Sequence, residues 1–402
     1  MPQKFLISGA GLIGLLLAQA FKSRGIEFEI FDRDESIQFR EESGWAITLH
    51  WALKTFQNLL PDELKEQIYS AQVRPDFHKQ DTGNFRYINA GTGEFVVSIP
   101  PSARLRVRRE QIRKILLQGI DVNWNCKTEK IDFDEGVKVY CSGGKGTTFT
   151  GDVLIGCEGA NSITRRLLFP NGGGELYQLP IRFCGAKVKM SESEMNTLAK
   201  NFDPLLFQGT VPGTNTFFWF SVLSCPDYTG EEGTYYGQVN LSWNVPQDED
   251  EPFTTTKEKA AAMKKHSKDL CPELSYLVDR AVEDYNSIVE IKLCDWDAVQ
   301  WDTHGGKVLL AGDSAHAMTM YRGEAANHGI TDVGELIKII DSYYSKENEK
   351  TWEEATTFYC KGIKERAAPA VLLSRQACID AHDFSKITPH STSPLLAIRK
   401  KT

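Results

Sequence analysis

Residues 3–33 carry Gly9-Ala10-Gly11-Leu12-Ile13-Gly14 directly after an apolar run, Phe5 to Ser8, and directly before a helical one. Gly9 allows a tight turn, Gly11 lets a pyrophosphate approach the backbone, and Gly14 lets helix and strand pack closely. The N–H groups at the helix start then face the phosphates, where the helix dipole favours negative charge. Asp32 closes the second apolar stretch 18 residues beyond Gly14, with Arg33 beside it, and its carboxylate suits the hydroxyls of an adenosine ribose. Strand, glycine turn, helix, second strand and terminal acid stand in the order that a dinucleotide-binding unit requires.

Further along, Ser43-Gly44-Trp45-Ala46-Ile47-Thr48-Leu49 reads as a small-residue approach to a bound ligand. Lys307 to Ala311 is a strand feeding a second acid, Asp313. No G-x-S-x-G elbow is present, so a nucleophilic serine is not expected. His316 and His328 lie twelve apart with nothing nearby to complete a metal site. Nine scattered cysteines, an odd number without a C-x-x-C pair, read as reduced thiols.

The elements that must position these groups alternate in character. Of 402 residues, 41% are hydrophobic and 25% charged, which suits a soluble protein with two packed units. A formal charge of −8 argues against nucleic-acid binding. No apolar run is long enough to span a membrane. The N-terminus enters a strand without signal-peptide character, so a cytoplasmic location is expected. Short alternating pieces fill residues 71–99, and Arg106 to Leu117 reads as a basic-flanked helix. Asp152 to Gly159 reads as a buried strand ending in an acid and a glycine, residues 181–246 are rich in strand formers, one helix is expected near 255–284, and 326–382 looks mostly helical. The nucleotide unit is therefore expected in three pieces, 1–70, 101–178 and 297–375, with a sheet unit at 71–100 and 179–296 and a helical tail at 376–402.

Four spaced motifs resemble the FAD-dependent aromatic hydroxylases, single-component flavoprotein monooxygenases similar to para-hydroxybenzoate hydroxylase, in their fungal secondary-metabolite branch. They are the glycine fingerprint ending in Asp32, Arg109-x-x-Ile112, the segment Asp152 to Arg165 around Glu158-Gly159, and the segment Gly312-Asp313 to Asp332. The resemblance implies an α/β fold: a Rossmann-like FAD-binding domain, an inserted substrate domain on a mostly antiparallel sheet, and a helical C-terminal region. It assigns FAD contacts to Gly9, Gly11, Gly14, Asp32, Arg33, Gly44, Ala46, Arg109, Glu158, Asp313, Ala325, Ala326 and Asn327. It offers Arg182 as a catalytic candidate, with Cys184 the alternative alignment at that position. Here Glu158 replaces the usual Asp, Thr319 and Met320 stand where prolines are common, and Ala325-Ala326 stands where Gly-Gly or Gly-Ala is usual.

The implied activity is an NAD(P)H-using monooxygenase that hydroxylates or epoxidises a small apolar or aromatic metabolite with dioxygen through a peroxyflavin. A monomer or weak homodimer is expected. The alternatives are a same-fold flavoenzyme without oxygenation (isomerase, cyclase or dehydrogenase) and a non-catalytic ligand-binding protein. Phe217 to Phe220, Tyr235, Tyr236 and Trp243 are expected to line an apolar chamber.

Overall fold

A computed structural model describes residues 2–40, 45–143, 147–245, 251–345 and 350–397. The chain opens with β1 (Lys4–Ser8), the helix Leu12–Lys22 and β2 (Glu27–Phe31). Then come β3 (Ala46–Leu49), β4 (Phe85–Asn89), β5 (Phe95–Ile99), β6 (Leu105–Arg108) and β7 (Val122–Asn123). They are followed by β8 (Lys127–Asp132), β9 (Val137–Ser142), β10 (Thr148–Gly151), β11 (Val153–Gly156) and β12 (Tyr177–Ser191). The last strands are β13 (Leu206–Thr210), β14 (Phe217–Ser224), β15 (Thr234–Asn244), β16 (Val289–Asp295) and β17 (Val308–Leu310).

A parallel sheet in the order β17-β11-β1-β2-β7 forms the nucleotide unit. Its central strand is a continuous apolar run because both faces are covered. Phe5 and Ile7 face a layer built by the helices Leu12–Lys22, Arg109–Leu117 and Ala325–Tyr344. Leu6 faces a small antiparallel sheet, β10-β9-β8, through Val137, Val139 and Phe149. Each fully buried Phe, Leu or Ile here stabilises the fold by roughly 1.5–3 kcal/mol relative to exposure.

The second sheet runs β16-β12-β15-β14-β13-β4-β5 and is antiparallel except between β13 and β4. Residues 85–99 thus join a sheet whose other strands begin only at Tyr177. One face, with Val188, Phe218, Phe220 and Leu241, packs on Leu274, Leu277 and Val278 of the helix Pro272–Ala281. The other face, with Phe183 and Phe217, turns towards Tyr321 and the end of the last long helix. Together these give the α/β fold and helical C-terminal region expected.

Three local expectations are corrected. The helix expected over 255–284 is two, Thr256–His266 and Pro272–Ala281, because Pro272 lacks the N–H to continue a helix yet suits the first position of a new one. Arg106 to Arg108 belong to β6, and the helix starts only at Arg109. The tail boundary at 376 falls inside one continuous helix, Trp352–Ala381, launched by a Thr351–Glu354 capping box. Beyond it the described residues hold only a short 3-10 turn, Phe384–Lys386.

Candidate functional site

A cavity of about 510 Å³ lies between the two sheets, where the C-terminal ends of β1, β2 and β11 meet β3, β6 and the inner face of the seven-stranded sheet. Ligand crevices in open parallel sheets occupy this position. Ten residues expected to contact a cofactor line it: Gly9, Gly11, Asp32, Arg33, Ala46, Arg109, Glu158, Asp313, Ala325 and Ala326.

At the dinucleotide end, Gly9 has φ +106°, a conformation L side chains rarely adopt. Its N–H donates to Phe31 O at 2.8 Å, which folds the turn back onto β2. Gly11 precedes the helix Leu12–Lys22 and supplies no side-chain cap, so first-turn N–H groups lack intrahelical partners. A Cβ at Gly11 would meet no protein atom within 4 Å, which leaves this backbone open to the cavity. Asp32 is fixed by accepting from the Ala10 N–H at 2.6 Å and the Asp34 N–H at 2.8 Å.

Across the cavity, Asp313 follows Gly312 at the end of β17. Among the described residues its carboxylate has no hydrogen-bond donor, and burial raises its pKa against the pull of His316, Arg109 and Arg165. A half-buried carboxylate facing a cavity without a protein donor fits a hydroxyl-bearing ligand. With the open glycine backbone and unsatisfied helix start, it makes the residues present fit FAD. The turn carrying Asp313 is held from behind. Asp332 accepts from the Gly312 N–H at 2.8 Å, lies 2.7 Å from His316 Nε2, and pairs with Arg366. Burial opposes its ionisation, but these partners outweigh that and keep the Asp332 pKa low.

The remaining expected residues do other work. Gly14 is a packing position, since a Cβ there would sit 1.9 Å from Gly9 O. Asn327 is buried away from the cavity: its Oδ1 accepts from the His50 N–H and its Nδ2 donates to Thr48 O, tying the helix Ala325–Tyr344 to β3. Glu158 touches the cavity, yet its carboxylate accepts from Ser8 Oγ, Ser162 Oγ and the Thr164 N–H. The longer acid therefore anchors the loop after β11. Gly44 lies outside the described residues.

Arg182 is corrected. It shares a sheet face with Cys184, which packs on the helix side, whereas Phe183 lines the cavity. Arg182 donates to Glu251 O, pairs with Glu290 at 3.5 Å and stacks over Phe253. Cys184, the alternative, is buried on the same helix-facing side.

The chamber wall also differs from expectation. Paired residues on adjacent strands share a face, so Phe217, Trp219 and Ser221 align with Ser242, Asn240 and Gln238. Phe217, Trp219, Gln238 and Asn240 line the cavity, whereas Phe218 and Phe220 point into the opposite core. Trp243 stacks on His266 at 4.1 Å on that far side, and neither Tyr235 nor Tyr236 lines the cavity. The chamber wall thus mixes aromatic side chains with the amides of Gln238 and Asn240. Trp45 and Thr48, from the segment expected to approach a ligand, line the cavity, and residues not foreseen include Arg106, Arg113, Phe183, Gln238, Asn240 and Tyr321. For Arg106 a signal existed: Leu105-Arg106-Val107-Arg108 alternates like a strand, with Leu105 and Val107 in the core. Burial and the nearby Arg104 push the Arg106 pKa down to about 9.

A family model described as FAD binding domain matches residues 3–355. A probable FAD-dependent monooxygenase of Arthroderma benhamiae is 37% identical over 99% of this chain and 96% of its own length. The FAD-dependent monooxygenase dbaB of Emericella nidulans is 38% identical, over 83% of this chain and 86% of that protein. Among solved structures, 2,6-dihydroxypyridine-3-hydroxylase from Arthrobacter nicotinovorans superposes with a TM-score of 0.76 at 14% identity, covering 100% of this chain and 98% of that one. Klebsiella pneumoniae HpxO complexed with FAD and uric acid gives 0.74 at 17% identity, with 95% and 89% covered. At those identities the likeness is one of fold.

Proposed function

We propose that this chain, which belongs to the FAD-dependent monooxygenase family, uses NAD(P)H to hydroxylate or epoxidise a flat, aromatic small metabolite. It is an FAD-dependent enzyme of the branch whose curated relatives are fungal monooxygenases. One observation carries the finer reading: distant stretches bearing Gly11, Asp32, Arg109 and Asp313 line one cavity that continues into a chamber walled by Trp45, Phe183, Phe217 and Trp219.

Bound FAD, with NAD(P)H as electron source, supplies the activation of dioxygen that transfers one oxygen atom. The residues that would hold it are the Gly9–Gly14 turn and helix start for pyrophosphate, Asp32 for the adenosine ribose, and Asp313 with Arg109 at the opposite end. The helix Ala325–Tyr344 opens on the cavity through Ala325 and Ala326, so its dipole favours negative charge there. The aromatic residues exclude water and align a planar substrate. No described side chain is required as a nucleophile.

No described helix is long and apolar enough to cross a membrane. A cytoplasmic location is supported by nine cysteines that are all unpaired. The decisive experiment mixes NAD(P)H-reduced holoprotein with isotopically labelled dioxygen and an aromatic substrate panel. A product carrying one labelled oxygen atom is expected. Reduction and reoxidation with no labelled product from any active substrate overturns the oxygenation assignment.

A further inference from the structure

Arg106 is a buried cation without an anion. It rises from β6 into the chamber, where Nη1 donates to Thr48 Oγ1 and Nη2 to Ser221 Oγ, both at 2.9 Å. Its Nε is buried and has no partner, and no described carboxylate pairs with it. Its guanidinium carbon lies 6.0 Å from the centre of the Trp219 ring. Burying a guanidinium against hydroxyls alone is unfavourable, and the fold tolerates it on the wall of the very cavity that takes a ligand. Beside it, Gln238 is the strand partner of Ser221. Its Nε2 donates to Asn240 Oδ1 at 3.2 Å, while its Oε1 is buried and accepts from nothing. The chamber thus has one charged pole, made of an unneutralised donor fork and an orphaned acceptor, next to an aromatic wall.

We propose that Arg106 receives an anionic oxygen, an ionised phenol or a carboxylate, on the aromatic substrate, and that Gln238 Oε1 accepts from a hydroxyl beside it. This rests on the chamber being the substrate site of the proposed monooxygenase. A planar guanidinium matches such an oxyanion with directed donors, and its face-to-ring placement near Trp219 favours a flat ring. Selectivity follows from the same groups. A neutral ether in place of the oxyanion leaves the buried charge uncompensated and Gln238 unsatisfied, a stronger discrimination than any change of apolar bulk.

The test is equilibrium binding to FAD-loaded protein, without NAD(P)H, by calorimetry and by perturbation of the flavin absorbance. The probes are two anions, nitrophenolate and naphthoate, against their neutral partners nitroanisole and methyl naphthoate. The wild-type protein is expected to bind at least one anion about tenfold or more tightly than its neutral partner. Whether nitrophenolate or naphthoate shows the larger preference identifies the phenol or the carboxylate as the recognised group. Arg106→Met should abolish that preference and Arg106→Lys should retain part of it. Equal binding of charged and neutral partners by the wild-type protein overturns the proposal without any variant being needed. So does an undiminished preference in Arg106→Met, or loss of FAD from Arg106→Met together with no preference in the wild type. Preference without oxygen transfer leaves Arg106 assigned and removes the monooxygenase reading instead.

Discussion

Gly14 and Gly11 stand three residues apart, and adding one methyl to each should produce opposite kinds of damage. At Gly14 the new Cβ would lie 1.9 Å from Gly9 O, where real Cβ atoms essentially never come within 3.0 Å of a heavy atom. Gly9 cannot retreat, because its N–H is held by Phe31 O and the Cβ direction at Gly9 itself already meets Cys157 O at 2.5 Å. The helix Leu12–Lys22 must therefore slide by more than about 1 Å against its buried neighbours. Forced overpacking of this kind costs typically 1–3 kcal/mol, and a clash with immovable backbone belongs at the upper end, about 3 kcal/mol. Gly14→Ala should accordingly lower the unfolding free energy of the FAD-free protein by about that amount, roughly a hundredfold in the folding equilibrium. At Gly11 the Cβ meets no protein atom within 4 Å. Gly11→Ala should leave the FAD-free protein within about 0.5 kcal/mol of wild type, yet weaken FAD binding, because the methyl occupies the phosphate approach. Denaturant unfolding of stripped protein and FAD titration by flavin fluorescence measure both quantities. If Gly14→Ala is as stable as wild type, the close-packing argument is wrong. If Gly11→Ala binds FAD normally, the phosphates do not sit at this turn.

Three further outcomes concern the site and its surroundings. Asp313→Ala should purify with little yellow cofactor, FAD binding falling about ten- to a hundredfold for one lost charge-assisted hydrogen bond, and full occupancy would remove Asp313 from the ligand set. Because burial raises the folded Asp313 pKa above 3.8, its contribution to FAD-free stability diminishes as pH rises from 3.8 through that higher value, so Asp313→Asn should flatten this part of the profile. His382 behaves oppositely: burial lowers its pKa from 6.5 to about 4, while Nδ1–H donates to Cys378 O and Nε2 accepts from Ser242 Oγ. The unfolded chain takes up a proton first, so stability should fall as pH drops from 6.5 towards 4, and His382→Gln should reduce that slope in denaturant unfolding at several pH values.

The nucleotide half of the site was legible because its signals are local. A glycine turn, an apolar strand and a closing acid act within some thirty residues, and their chemistry does not depend on the rest of the chain. Asp313 was legible for the same reason, as an acid ending a short buried strand. The substrate half was not, because it depends on parity. In a strand, one position decides which core a side chain enters, and register comes from partners far away in sequence. Phe217 and Phe218 are equally apolar in the sequence, but only the first reaches the cavity. Arg182 and Phe183 differ by the same single step, which sends the cation to the outer face. Arg106 was hidden differently: absorbed into the helix that follows, it lost the alternation that marks it as a strand residue. Asn327 carries a motif position but works through His50 and Thr48, a role that only three-dimensional contacts disclose.

One edge strand of the parallel sheet, β17, comprises residues 308–310, while the first strand begins at residue 4. During synthesis, β11 emerges with one flank bare and stays so while β12 to β16 are produced. The acid that follows β17 appears later still. A ribosome must therefore release most of the polypeptide before the crevice has two walls, and the glycine turn, made first, waits without its counterpart. Flavin capture is consequently a late event in the life of the nascent chain, possible only once β17 and Asp313 have been made.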